Sequence, residues 1–207
     1  MIPLRYTLVA DGSSDRCLVH VINWVLGQTP SLGALGFVPQ VAPITLQGDL
    51  TAAVSQYPCD LLLVHRDGEG QGRPARVQEI DKRLQGKGLP PHICMVPVRM
   101  TEAWLLIEEK AIRIAADNPN GQSPLSLPRI NELESLHDPK SLLWDVLSRA
   151  SEKTGRRRDQ FWRQRFHRRQ RVAELISDFS PLRRLSAFSA FESDLSGALA
   201  RWVKQEQ

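Results

Sequence analysis

Apolar positions in the first 116 residues form short runs that alternate with stripes at helical spacing. Arg5 to Ala10 (RYTLVA) predicts a strand that ends at Asp11-Gly12. Ser13 or Ser14 can cap a helix with Asp15 in its first turn, and Leu18, Val21, Ile22 and Val25 recur on one face up to a stop at Gly27. Phe37 to Leu46 predicts a second strand, which Pro39 and Pro43 either shorten or place at a sheet edge. A short helix fits 48–56. Leu61 to Val64 is a continuous apolar run, the pattern of a strand buried on both faces. Pro74 suits a first helical turn, with Val77, Ile80 and Leu84 on one face before Gly86. Ile93 to Val98 predicts a fourth strand. Thr101 then caps a helix, TEAWLLIEEKAIRIAA, that stops at the Asn118-Pro119-Asn120-Gly121 turn. This alternation predicts an α/β fold, a parallel sheet of about four strands flanked by helices.

From Gln122 the pattern changes. A loop-like stretch, a short segment at 130–136, a helix at 141–150, an arginine-rich run, a helix beginning near Arg171 and a last helix at about 185–203 follow one another. The expected organisation is an α/β domain over 1–121 and a helical, arginine-rich region over 122–207 packed on it.

Composition narrows the class only a little. The chain has 207 residues, 42% apolar and 24% charged, which is ordinary for a globular protein with a real core. The apolar start is too short for a signal peptide and no run approaches a membrane span, so a cytoplasmic location without membrane contact is expected. Cys17, Cys59 and Cys94 are odd in number, form no CxxC pair and sit in or beside apolar runs, as in a reduced compartment.

The candidate chemistry centres on 60–72, DLLLVHRDGEGQG. Asp67 and Glu69 flank Gly68 at the exit of the buried strand, and Gly70 and Gly72 let the backbone bend close to a ligand. Two carboxylates so placed repel each other, and a hard cation with oxygen ligands relieves this. Ligands of open parallel sheets bind beyond the carboxyl ends of the strands. Asp11 and Asp15 follow the first strand, Asp67 and Glu69 the third, and Glu102 the fourth. Mg²⁺, or Mn²⁺, at such an edge activates water and stabilises the leaving oxygen of a phosphodiester. Plainer roles stand beside this one: Asp11 in an Asp-Gly turn, Asp15 on a helix dipole, Glu102 as a capping carboxylate. His65 and Arg66 read as flanking cations that either meet a phosphate or pair with nearby acids. The kinase-like His65-Arg66-Asp67 lacks the downstream Asn and the glycine loop with its strand lysine, and the glycines are too loose for a phosphate loop.

VADGSSDR, LLLVHRDGEG and VPVRMTEAWLL resemble the motifs of a bacterial Toprim-like family with an EAWLL helix start, distantly like overcoming-lysogenization-type nucleases. The resemblance covers roughly residues 4–116 and implies a Toprim/Rossmann-like sheet. It implies that Asp11 stands for the general acid/base glutamate, Asp67 and Glu69 for the metal pair and Glu102 for an extra acid. Asp11 is one methylene shorter than the usual Glu, and Glu69 one longer than the frequent Asp. The class often works beside a separate ATPase in phage or plasmid defence; this chain has no Walker motif, so the ATPase would be another protein.

Charge is segregated. Arg156 to Arg171 holds eight arginines against Asp159, a net +7, and with +4 overall the rest of the chain carries −3. Arg156, Arg157, Arg158, Arg163, Arg165, Arg168 and Arg169, with Arg66, are the expected contacts to a nucleic-acid backbone. Trp162 and Phe166 share a helical face that reads most simply as core, with base stacking as the alternative. Trp104 and Trp144 are expected in the core.

The expected activity is therefore Mg²⁺-dependent hydrolysis of DNA or RNA, with Asp11, Asp67, Glu69 and Glu102 catalytic and Asp11, Asp15, Asp67 and Glu69 around the metal. Alternatives are a non-catalytic Toprim-shaped subunit that binds nucleic acid or a partner, and transfer to a small nucleotide-like substrate. Homo-oligomerisation is open.

Overall fold

The computed structural model describes residues 3–10, 12–29, 36–42 and 44–205; Asp11 and Pro43 lie outside them. In chain order the elements are β1 Leu4–Val9, α1 Leu18–Gly27, β2 Phe37–Val41, α2 Leu50–Gln56, β3 Leu61–His65, α3 Gly72–Leu84 and β4 His92–Met95. Then come α4 Glu109–Ala115, α5 Pro139–Ser151, α6 Gly155–Arg163, α7 Arg165–Leu175 and α8 Ser186–Gln205. Tight 3₁₀ turns occupy Ser13–Cys17, Thr101–Leu105, Ile130–Ser135 and Ser180–Arg184. Among the described residues, no helix is long and apolar enough to cross a membrane.

The chain divides into two compact units, 1–98 with 186–207, and 99–185. This divide differs from the expected one at 121/122. It assigns the EAWLL segment to the second unit and the last helix to the first.

The first unit is an α/β sheet of four parallel strands in the order β2-β1-β3-β4, flanked by helices as predicted. Val9 stands beside Val64 on β3, and Leu63 beside Ile93 on β4. β3 is central and every residue in it is buried, which is why its sequence is a continuous apolar run. β2 is an edge strand, only partly covered, and tolerates Pro39 for that reason. Side chains alternate across the sheet. Val9, Leu62, Val64 and Cys94 face one side with Leu50 of α2 and with Ile80 and Leu84 of α3. On the other side, the Tyr6 hydroxyl donates to Asn23 Oδ1 of α1 at 2.7 Å. α8 packs against β4, and its Phe188 meets Trp24 of α1 with ring centroids 6.5 Å apart. Burial of each such leucine contributes about 2 kcal/mol. α2 begins where Asp49 accepts from the backbone N–H groups of Thr51 and Ala52, both at 3.1 Å.

The second unit is helical. α4 packs on α7, and α5 on the Thr101–Leu105 turn. The single helix expected over 101–116 is instead a 3₁₀ turn followed by α4. Thr101 to Leu106 are all buried, so this tight turn is enclosed on every side. Trp104 and Trp144 are core, as predicted.

The unit contains a pH-sensitive clasp. Glu152, in a left-handed conformation at the end of α5, accepts from the backbone N–H groups of Gln122 and Ser123 at 2.6 and 2.7 Å. The Ser123 N–H, first among several hydrogen bonds, holds this carboxyl down at about 2, from an ordinary 4.5. A carboxyl depressed on folding adds stability that is fully present above pH 4.5 and is lost as pH falls through about 2. Glu152→Gln is therefore expected to lower stability at neutral pH, with the difference from wild type shrinking across that window. Urea unfolding at a series of pH values checks it; a gap that does not change with pH would contradict the assignment.

Candidate functional site at the carboxyl edge of the sheet

β1 and β3 are neighbours and parallel, so the segments that follow them emerge at the same edge. Asp15 belongs to the 3₁₀ turn after β1 and is 7% exposed. Its Oδ2 accepts from the Gly12 N–H at 3.2 Å, the turn-capping role its position allowed. His65 ends β3 and is 1% exposed. By alternation it points to the α1 side of the sheet, away from Val64.

His65 lies between two carboxylates. Its Nδ1 is 3.6 Å from Asp15 Oδ2 and its Nε2 3.3 Å from Asp67 Oδ1. The Nε2 contact is within hydrogen-bonding reach, whereas Nδ1 is too far from Asp15 for a hydrogen bond. The ring thus links the acid after β1 with the acid after β3. The sequence marked His65 only as a flanking cation. The available signal was a polar residue ending an otherwise apolar buried strand, where it needs a partner.

A second cation shapes the acidic loop. Arg76 on α3 is 6% exposed and spreads its guanidinium over three acceptors. Nε donates to the Asp67 carbonyl at 3.0 Å, Nη2 to Glu69 Oε2 at 3.2 Å and Nη1 to Glu79 Oε2 at 2.7 Å. The predicted buried face of this helix was Val77, Ile80 and Leu84; the buried positions are Arg76, Ile80 and Leu84. An arginine four residues before Ile80, on the same stripe, was the overlooked signal. Arg66 meets Glu79 at 3.4 Å, the acid-pairing role left open above.

The glycines divide the work. Gly68 donates to the Pro97 carbonyl at 2.9 Å. A Cβ there would lie 2.3 Å from the Val98 oxygen. Gly70 and Gly72 take φ of 81° and 78°, and Glu69 itself sits at 43°, a left-handed conformation that costs about 1–2 kcal/mol outside glycine. Arg76 is the visible restraint on Glu69, which is otherwise exposed.

The other expected site residues fall elsewhere. Asp11 lies outside the described residues. Glu102, in the second unit, is 3% exposed and forms a buried ion pair with Arg169, itself 2% exposed. Neither residue therefore takes the expected place, as an extra acid or as a surface phosphate contact. Arg168 is buried too. It donates to the Ala115 carbonyl at 2.7 Å, reaches Asp117 at 2.7 Å and lies over the Phe161 ring. That guanidinium holds the Asp117 carboxyl below its ordinary range. Arg168 faces inward onto the end of α4 and Arg169 onto Glu102 of the Thr101–Leu105 turn, so the sequence run is not one uniform surface.

Arg156, Arg157, Arg158 and Arg163 on α6 are exposed, and Arg165 is half-buried. The aromatics reverse the simple expectation: Phe161 is core, while Trp162 and Phe166 are 40% and 50% exposed. The helix breaks at Gln164, so the two do not share a continuous helical face. Arg165 lies over both rings, 5.3 and 4.6 Å from their centroids. Trp144 meets Phe166 edge-on at 5.8 Å.

Compared with known proteins, the chain matches no family model, no curated protein and no solved structure.

Proposed function

We propose that this chain is a metal-dependent phosphodiesterase acting on nucleic acid, the activity implied by its Toprim-like motifs. The observation that carries the reading is the convergence of Asp15, His65 and Asp67 at the shared exit of β1 and β3. The donor chemistry fits Mg²⁺ or Mn²⁺, since Asp67 and Glu69 present hard oxygens from a partly exposed loop. Asp67 and Glu69, with Asp11 and Asp15, would hold the ion, which supplies Lewis acidity toward a phosphoryl oxygen when bound. His65 steadies Asp67, and Arg76 fixes the loop through the Asp67 carbonyl. Asp11 takes the general-base role. Arg156, Arg157, Arg158, Arg163 and Arg165 supply phosphate contacts, and Trp162 and Phe166 supply stacking surfaces. The protein acts in the cytoplasm beside a separate ATPase.

A second reading, a nucleic-acid-binding subunit without catalysis, is favoured by the pairing of Glu69 with Arg76 and of Glu102 with Arg169. These contacts neutralise Glu69, one of the acids of the metal set, and Glu102, the expected extra acid.

The test is calorimetry with Mg²⁺ and Mn²⁺ on wild type and Asp67→Ala, with plasmid and RNA cleavage on the same samples. Metal binding and cleavage are expected in wild type, and loss of both in the variant at unchanged circular dichroism. Wild type that binds nucleic acid but neither metal would sink the enzyme reading and leave the binding subunit.

A further inference from the structure

The first unit holds a second cluster of ligating side chains, on the side of the sheet opposite His65. His92 and Cys94 are two apart on β4 and so face the same way. Asp81 reaches them from α3. One ligand atom from each of Asp81, His92 and Cys94 lies within 4.8 Å of the other two, a grouping that the acids of the β1/β3 edge do not form among the described residues. His92 Nε2 and Asp81 Oδ1 are already 2.8 Å apart.

We infer that Asp81, His92 and Cys94 form a zinc-type site with an open fourth position. A thiolate, an imidazole and a carboxylate form a borderline-soft set that suits Zn²⁺ and disfavours Mg²⁺. Three protein ligands leave one place in a tetrahedral shell, the pattern of zinc sites that bind water or a substrate. The geometry says where that place faces. Asp81 and His92 line a groove of about 970 Å³ whose walls also carry Arg73 and Lys82, whereas Cys94 is buried behind them and does not line it. Arg73 is already paired with Asp194, so it is the Lys82 ammonium beside the open position that favours an anionic fourth ligand.

The scaffold is also right for the task. Two ligands stand on β4, an edge strand paired with the central β3, and a rigid element holds coordination geometry better than a loop. Without metal, burial pushes the Cys94 thiol up to about 12, so it is a poor nucleophile at neutral pH. This site is independent of the proposed Mg²⁺ centre, because it shares no residue with it.

The experiment is titration of the full chain with Zn²⁺ and with Co²⁺. One equivalent of Co²⁺ should give the intense visible bands of a tetrahedral ion and a thiolate-to-cobalt charge-transfer band, both displaced by Zn²⁺. Cys94→Ser should remove the charge-transfer band. The exposed substitution Asp81→Asn, which does not threaten the core, should weaken Zn²⁺ at least tenfold. Asp67→Ala should leave all of this unchanged. Absence of a charge-transfer band in wild type, or Zn²⁺ affinity unaltered in both Cys94→Ser and Asp81→Asn, would overturn the assignment.

Discussion

Arg169→Ala is expected to destabilise the second unit by about 3–5 kcal/mol, the cost of stranding one member of a buried ion pair. Arg169 and Glu102 are 2% and 3% exposed, so neither partner finds water when the other is removed. The loss should appear as a lower urea midpoint, with the slope of the transition unchanged. Glu102→Leu combined with Arg169→Met should recover most of it, because replacing both charges by apolar groups of similar size removes the desolvation cost as well as the attraction. If the single variant lost less than about 1 kcal/mol, water would be reaching the carboxylate and the pair would not be a core element. The double variant also separates roles. If Glu102 served the reaction chemically, cleavage would fail in a protein whose stability had returned.

Gly68→Ala should be the most damaging single change at the carboxyl edge of the sheet. A methyl group there would meet the Val98 oxygen at 2.3 Å and the Pro97 oxygen at 2.7 Å, both of them backbone atoms. Neither can swing aside, so the loop itself must move and lose the Gly68 N–H bond to Pro97. Overpacking of this kind costs about 1–3 kcal/mol. The larger effect falls on the site, because Asp67 and Glu69 lie on either side of Gly68. Metal affinity and cleavage are expected to fall by about 100-fold or more, as for a 1 Å displacement of a positioned group. Gly70→Ala, whose Cβ meets nothing within 4 Å, serves as the control: it is strained only through its φ of 81°. Equal losses in the two variants would show that backbone conformation, and not contact with 97–98, places the acids.

The sheet was legible because its signals are local. Leu61 to Val64 declares a two-sided strand, and each stripe or turn signal is complete within a short stretch of chain. What stayed hidden depends on partners far along the chain. Arg169 read as a surface cation within a basic run, and nothing nearby reveals that it pairs with Glu102, 67 positions away. Arg168 was hidden in the same way by its bond to Ala115. Arg76 was obscured by residue type: on a helical stripe an arginine is normally discounted as core, yet an acidic loop makes burial favourable. The 101–116 segment failed for a different reason. Its residues are good helix formers, and nothing in their spacing marks the break between the 3₁₀ turn at 101–105 and α4. At the site, the acids after β1 and β3 were visible as a group, but the imidazole between Asp15 and Asp67 is a product of strand register and could not be read from spacing.

The assignment of α8 to the first unit makes that unit discontinuous in the chain. During synthesis β4 is made early, but the helix that packs on it is made only after all of 99–185 has emerged. The intervening stretch has every one of its own contacts available before that helix appears, and so it is free to fold first. The nascent sheet meanwhile has α1 on one side but lacks the helix that packs on β4, and its strands are joined by contacts of long sequence separation, which form slowly. The helical unit, which starts later along the chain, is thus complete in sequence before the sheet unit is.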